Sequence, residues 1–187
     1  MDPLTDIVAL LRPRGTFSKP ITGRGKWGVR NDAHVSPSFC IVVEGKSWFL
    51  TDGDTPRLLD RGDFLLLPFT PAFSLVSELG AECVPGRPSR GGVRHGDPKG
   101  TPDFRMIGGT FHIELVNARL LELMSQKIHI RAAESDTSRL TRIIDLIMDE
   151  YGTERPGRDA ILQRFLEAML FEALRWPGLA TNLCVPA

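Results

Sequence analysis

"GDFLLLPFTPAFSLVS", Gly62 to Ser77, is the stretch whose reading decides the fold. "DRGD" just before it is turn chemistry, and "FLLLPF" is a continuous apolar run too short for a helix and of the right length for a buried strand. Beyond it Phe73 and Leu75 share one face by strand alternation. The same style extends outward, from Lys26 to about Leu115. "SFCIVVEG" and "SWFLTDGD" are two β-rich runs with Gly45 and Lys46 at the turn between them, and "DGD" punctuates the next. Short runs at this spacing predict an all-β sandwich or barrel.

The segment from Gly80 to Asp103 is crowded with Gly and Pro and reads as a long surface loop with one strand around Val93 to His95. Its Arg87, Arg90, Arg94 and Lys99 suit a solvated loop or a patch for an anionic partner. "GRPSRGG" lacks the Gly-Lys-Ser/Thr ending of a phosphate-binding loop. "MIGGTFHIEL" reads as a last strand pair.

The period then switches from two to 3.6. "NARLLELMSQ" predicts a short helix from Asn117. "DTSRLTRIIDLIMDEYG" aligns Leu140, Ile143, Ile144, Ile147, Met148 and Tyr151 on one face, with Asp136 as cap and Gly152 as stop. After a turn at Pro156 and Gly157, apolar pairs recur in "AILQRFLEAMLFEALRW", so a second helix faces the first. Its apolar face is wider than one neighbouring helix covers, and therefore packs also on the β domain or on a second subunit. At the N-terminus, Asp2 as cap, Pro3 in the first turn and Leu4, Ile7, Val8 and Leu11 on one face predict a short helix.

Composition narrows the function. With 187 residues, 42% of them hydrophobic and 25% charged, the chain is long enough to bury a sizeable core. Its 23 basic and 23 acidic residues cancel, so these residues lack the net positive field that holds a protein on a phosphate backbone. Cys40, Cys83 and Cys184 form an odd set without CxxC spacing, which argues against a disulfide framework or structural zinc and suits reduced thiols in the cytoplasm. The apolar run near the N-terminus is too short for a signal peptide or membrane span.

Taken in order and spacing, "MDPLTDIVALLRPRG", "SFCIVVEGKSWF", "GDFLLLPFTPAFSL", "MIGGTFHIE" and "RFLEAMLFEALR" resemble the cupin-type N-terminal domain of AraC-family transcriptional regulators. The resemblance implies a mainly β chain with C-terminal helices: a cupin jelly-roll barrel with a short N-terminal helix over residues 1–116, then a helical hairpin over 117–177 that mediates dimerisation. It further implies that 178–187 begin a linker to a DNA-binding domain absent from this chain. A small-molecule effector in the barrel, a homodimer and a cytoplasmic location without membrane contact follow from the same likeness.

The cupin pattern also supplies positions for a metal. His34 falls near one ligand position, Ser38 where an acidic ligand is expected, Cys40 where relatives often carry histidine, and Phe73 where the second motif expects another. His34 and Cys40 remain candidate ligands for a soft ion such as zinc, with a further donor from His95, Cys83 or His112. The alternative is an apolar pocket. Its expected lining is Cys40 and Val42 on one inward face, Phe73 and Leu75 on another, Trp27 and Trp48 as aromatic walls and His34 as the polar contact, with the tryptophans equally able to be core filler. There is no G-x-S-x-G elbow, and Asp52, Asp54, Asp60 and Asp63 sit in turns where Asp bonds local backbone amides. The resemblance thus implies a sensor, expected to be without catalytic activity, with Ile161, Phe165 and Met169 at the dimer interface. A stand-alone metal-dependent isomerase or dioxygenase with atypical ligands, and a barrel acting only as an interaction module, are the rival readings.

Overall fold

The computed structural model describes residues 14–17, 20–86, 92–112, 127–132 and 138–175. Among these the chain forms β1 (Arg14–Phe17), β2 (Ile21–Arg24), β3 (Gly28–Asn31), β4 (Ser38–Glu44), β5 (Lys46–Thr51) and β6 (Arg57–Asp60). Next come β7 (Phe64–Leu67), β8 (Phe73–Val76), β9 (Val84–Pro85), β10 (Val93–Gly96), β11 (Phe104–His112) and β12 (Ile128–Ile130), followed by helices α1 (Ser138–Tyr151) and α2 (Arg158–Leu174). The N-terminal helix, the helix expected from Asn117, the cap Asp136 and the tail beyond Trp176 lie outside the described residues.

The strands form two sheets. One runs β10-β2-β11-β4-β7-β12, with β1 added on β11, and the other runs β6-β5-β8-β3-β9. The fold is the expected mainly β jelly roll, built as two apposed sheets followed by a helical pair. The chain passes from one sheet to the other at Gly45, whose φ of 72° is a left-handed conformation that an L side chain rarely adopts.

The unbroken apolar character of Phe64 to Leu67 has a structural cause. All four residues of β7 are buried because both of its faces are covered. Leu65 and Leu67 face the interior between the sheets, whereas Phe64 and Leu66 face the helices. β4 divides in the same way, with Cys40 and Val42 inward and Phe39 and Ile41 toward the helices. The described residues therefore form two cores, one between the sheets and one between the longer sheet and the helices.

In the second core Ile144, Ile147, Leu166 and Met169 pack on Phe39, Phe64 and Phe111. Leu166 comes so close to Gly15 of β1 that a Cβ there would collide with it. The wide apolar face of α2 is thus covered by α1 and by the sheet of its own chain. Between the helices Gly157, with φ 82°, precedes the first residue of α2.

Two expectations need correction. The described part of "MIGGTFHIEL", Met106 to His112, lies in one continuous strand: Gly108 and Gly109 stay in register with Cys40 and Phe39, and neither has the positive φ of a turn glycine. The boundary at residue 116 does not separate sheet from helices either, since β12 returns to the sheet and pairs antiparallel with β7. Its alternation of Ile128, His129 and Ile130 was a readable strand signal, too short to stand out.

Candidate functional site

The interior between the sheets is built almost wholly from apolar side chains. Cys40, Val42 and Leu65 come from one sheet and Val29, Phe49 and Leu75 from the other, with Phe73 partly buried against them. The Phe49 and Phe73 rings stand 5.3 Å apart between centroids. Trp27 is buried in the same cluster, tilted against Phe104 at 5.1 Å and stacked on His95 at 5.7 Å. Burial lowers the pKa of His95, favouring its neutral ring.

Of the residues expected to line a pocket, Trp27, Cys40, Val42, Phe73 and Leu75 stand together here. Trp48 and His34 do not. Ser47 and Phe49 are the buried residues of β5, so alternation turns Trp48 to the outer face, over its strand partners Leu58 and Val76. Two adjacent aromatics left the phase of that strand open, and the sheet change at Gly45 resets it. Phe49 is the aromatic wall that the sequence reading missed.

His34 is exposed. It bridges to Thr70 through the backbone, and its Nε2 lies 3.3 Å from Ser38 Oγ. Thr70 Oγ1 stands 2.8 Å from the same Ser38 oxygen and 2.9 Å from the Ser36 carbonyl. These groups satisfy one another at one end of the sandwich, where Ser38 pairs with Leu67.

At the same end Lys127 Nζ donates to Thr51 Oγ1 at 2.7 Å and pairs with Asp54, 5.9 Å from the Phe49 ring centroid. Hydrogen bonds from Lys127 and Thr51 hold the Asp54 carboxyl below its usual range. Farther in, His129 Nε2 lies 2.9 Å from Asp63 Oδ2. An ionised carboxylate only accepts, so Nε2 carries the proton. Lys127 and His129 escaped the sequence reading, and Asp63 was read as a turn residue, because their partners lie far away in the chain.

Among the described residues, those at the cupin ligand positions do not come together as three donors. Phe73 has no donor atom, the His34 Nε2 is turned to Ser38 Oγ, and Cys40 is buried among the apolar side chains between the sheets. Cys83 and His112 are exposed, and His95 is stacked on Trp27. Among the described residues no three His, Cys, Asp or Glu side chains converge on a common point.

The three residues expected at a dimer interface also separate. Ile161 is 40% exposed and Phe165 is half-buried, but Met169 has 0% exposure within its own chain. A side chain already covered on all sides contributes no surface to a partner, so Met169 belongs to the intrachain core. No helix among the described residues is long and apolar enough to cross a membrane.

The sequence profile of the cupin family matches residues 2–177. A protein from Streptomyces lividans described as an AraC-like transcription regulator is 32% identical over 187 residues, which cover 94% of this chain and 59% of that protein. Its counterpart from Streptomyces antibioticus is 28% identical over 182 residues, with the same coverage of 94% and 59%. The chain thus spans less than two thirds of the regulators it matches. Unsaturated fatty acid-bound ToxT from Vibrio cholerae aligns at a TM-score of 0.46 with 8% identity, over 90% of this chain and 56% of ToxT. Because the family match runs through both sheets and both helices, the chain belongs to the cupin family, and over most of its length it is similar to part of two AraC-like transcription regulators.

Proposed function

We propose that this chain is the effector-sensing and dimerising part of a cytoplasmic AraC-type transcription factor, that it performs no catalysis, and that DNA is bound by a separate domain. The observation that carries the reading is the division into two cores. An apolar interior edged by Phe49 and Phe73 is segregated from the core that holds the helices, so a small molecule between the sheets meets a wall that the helices do not share. The donor groups at the cupin metal positions do not converge, which favours a binding site over metal-assisted chemistry.

The mechanism is a shift between two arrangements of the attached domains. An effector that binds one arrangement more tightly biases it, and one without differential affinity switches nothing. Ile161 and the exposed part of Phe165 supply the dimer surface.

A thermal-shift screen of small apolar and amphipathic metabolites tests the reading. A ligand at 100 times its dissociation constant stabilises by roughly 2.7 kcal/mol, and that gain is expected to fall away in Phe73→Ala. A blank screen refutes the sensor function. Equimolar metal in protein purified without added metal, lost in the double variant His34→Ala, Cys40→Ala, favours a metalloenzyme instead.

A further inference from the structure

β12 has two faces that serve different parts of the molecule. Ile128 and Ile130 enter the core shared with the helices. Lys127 and His129, on the opposite parity, reach carboxylates of the sandwich. Among the described residues β12 pairs only with β7, through Ile128↔Leu66, His129↔Leu65 and Ile130↔Phe64. Three residues at a sheet edge supply few ladder bonds, so the buried Ile128 and Ile130 on one face and the polar contacts on the other hold the strand in place.

Those contacts are specific. The side chains of His129 and Asp63 are only 6% and 7% exposed, and their atoms meet at 2.9 Å. Asp63 also accepts the Ala132 N–H on Oδ1 and the Asp60 N–H on Oδ2, each at 3.0 Å. A single carboxylate between β6 and β7 therefore grips the middle of β12 and the residue that leads on toward the helices. Lys127 ties the other end to Thr51 and Asp54 of the facing sheet, beside the Phe49 ring. β12 is thus the short segment fastened to both sheets and to the helical core.

We propose that β12 is a strap that couples the wall of the sandwich to the helical pair. β12, α1 and α2 loosen as one unit while the two sheets stay joined, and the Asp63–His129 contact sets how readily this happens. The role as a relay for an effector rests on the sensor reading above; the mechanical coupling does not. The physical basis is the segregation of the cores, since parting the helices from the sheet leaves the interior between the sheets intact.

Native-state hydrogen exchange on the full chain without added ligand tests this. In the wild-type protein, amides of residues 128–130, 140–151 and 162–174 are expected to exchange through one shared opening, distinct from a rarer opening of β4 and β11. His129→Leu and Asp63→Asn are expected to accelerate the first group by roughly ten-fold or more, the worth of one charge-assisted hydrogen bond, and β4 and β11 by the same factor, since every opening that breaks the contact gains equally. Leu75→Ala, in the core between the sheets, is expected to accelerate β4 and β11 and leave the first group unchanged. His129→Gln, whose amide can still donate to Asp63, is expected to stay near wild type. Exchange of all elements through a single global opening in the wild type overturns the proposal even if no variant folds. So do a Leu75→Ala change that accelerates the helices as much as β4 and β11, and His129→Leu and Asp63→Asn variants that leave the helices untouched. A blank effector screen does not bear on these rates, and a negative exchange result leaves the effector test standing.

Discussion

Replacing Asp63 with Ala removes a carboxylate that is 7% exposed and accepts hydrogen bonds from the His129 ring and from the N–H groups of Asp60 and Ala132. Truncating one partner of a buried, hydrogen-bonded charge strands the others, at a cost of about 3–5 kcal/mol. For a domain of this size each kcal/mol lowers Tm by about 2–4 °C, so a fall of about 6–20 °C is expected. Burial alone would raise the pKa of Asp63. The hydrogen bonds from His129 and from the Asp60 and Ala132 backbone outweigh it, leaving the group below its ordinary value of 3.8. A depressed folded pKa means that the stabilisation is complete above the unfolded value of about 3.9 and is lost as pH falls through the folded value. Urea unfolding followed by tryptophan fluorescence should therefore show the full gap between wild type and Asp63→Ala at pH 7, narrowing only below about pH 4. A cost under about 1 kcal/mol at pH 7, or a gap that stays constant down to the acid limit of folding, refutes the account of Asp63 as a buried carboxylate held ionised by its partners.

Ser47 Oγ is fully buried without a hydrogen-bond partner, so Ser47→Ala should stabilise the protein by about 1 kcal/mol in the same urea assay. Met169→Ala, at a site with 0% exposure, should cost about 2–5 kcal/mol, whereas Ile161→Ala at 40% exposure should change stability little while weakening any dimer seen by sedimentation. Iodoacetamide at pH 8 should label Cys83 in the folded protein and Cys40 only after unfolding, because burial removes access to the Cys40 thiol and pushes its pKa to about 12. Gly45→Ala should cost about 1–3 kcal/mol, since the residue has φ 72° and its Cβ would run into the Asp103 carbonyl.

Several features were legible without coordinates because they are local. The run at Phe64 to Leu67 announces a strand covered on both sides, and the apolar spacing of 140–151 and 161–174 announces two facing helices. The shared faces of Cys40 with Val42 and of Phe73 with Leu75 follow from the pleat alone. Even the width of the α2 face foretold more than one neighbour, although it did not say whether the second was this chain's sheet or another subunit.

What depended on tertiary structure concerns phase and distance. Strand alternation assigns alternate residues to a common face but does not say which face is inward, and the sheet change at Gly45 breaks the phase, so Phe49 and not Trp48 enters the interior. Met169 left the expected interface because the sheet covers it, a fact that no helical periodicity contains. Asp63 and His129 are separated by 66 positions, and Lys127 by 73 from Asp54. Nothing nearby in the chain marks these partners, because a hydrogen bond between distant segments exists only after the register of β7 and β12 is set. Local pattern thus determined the strands, the helices and which residues share a face; packing decided which faces meet, and with that the apolar interior, the fate of Met169 and the strap that joins sandwich to helices.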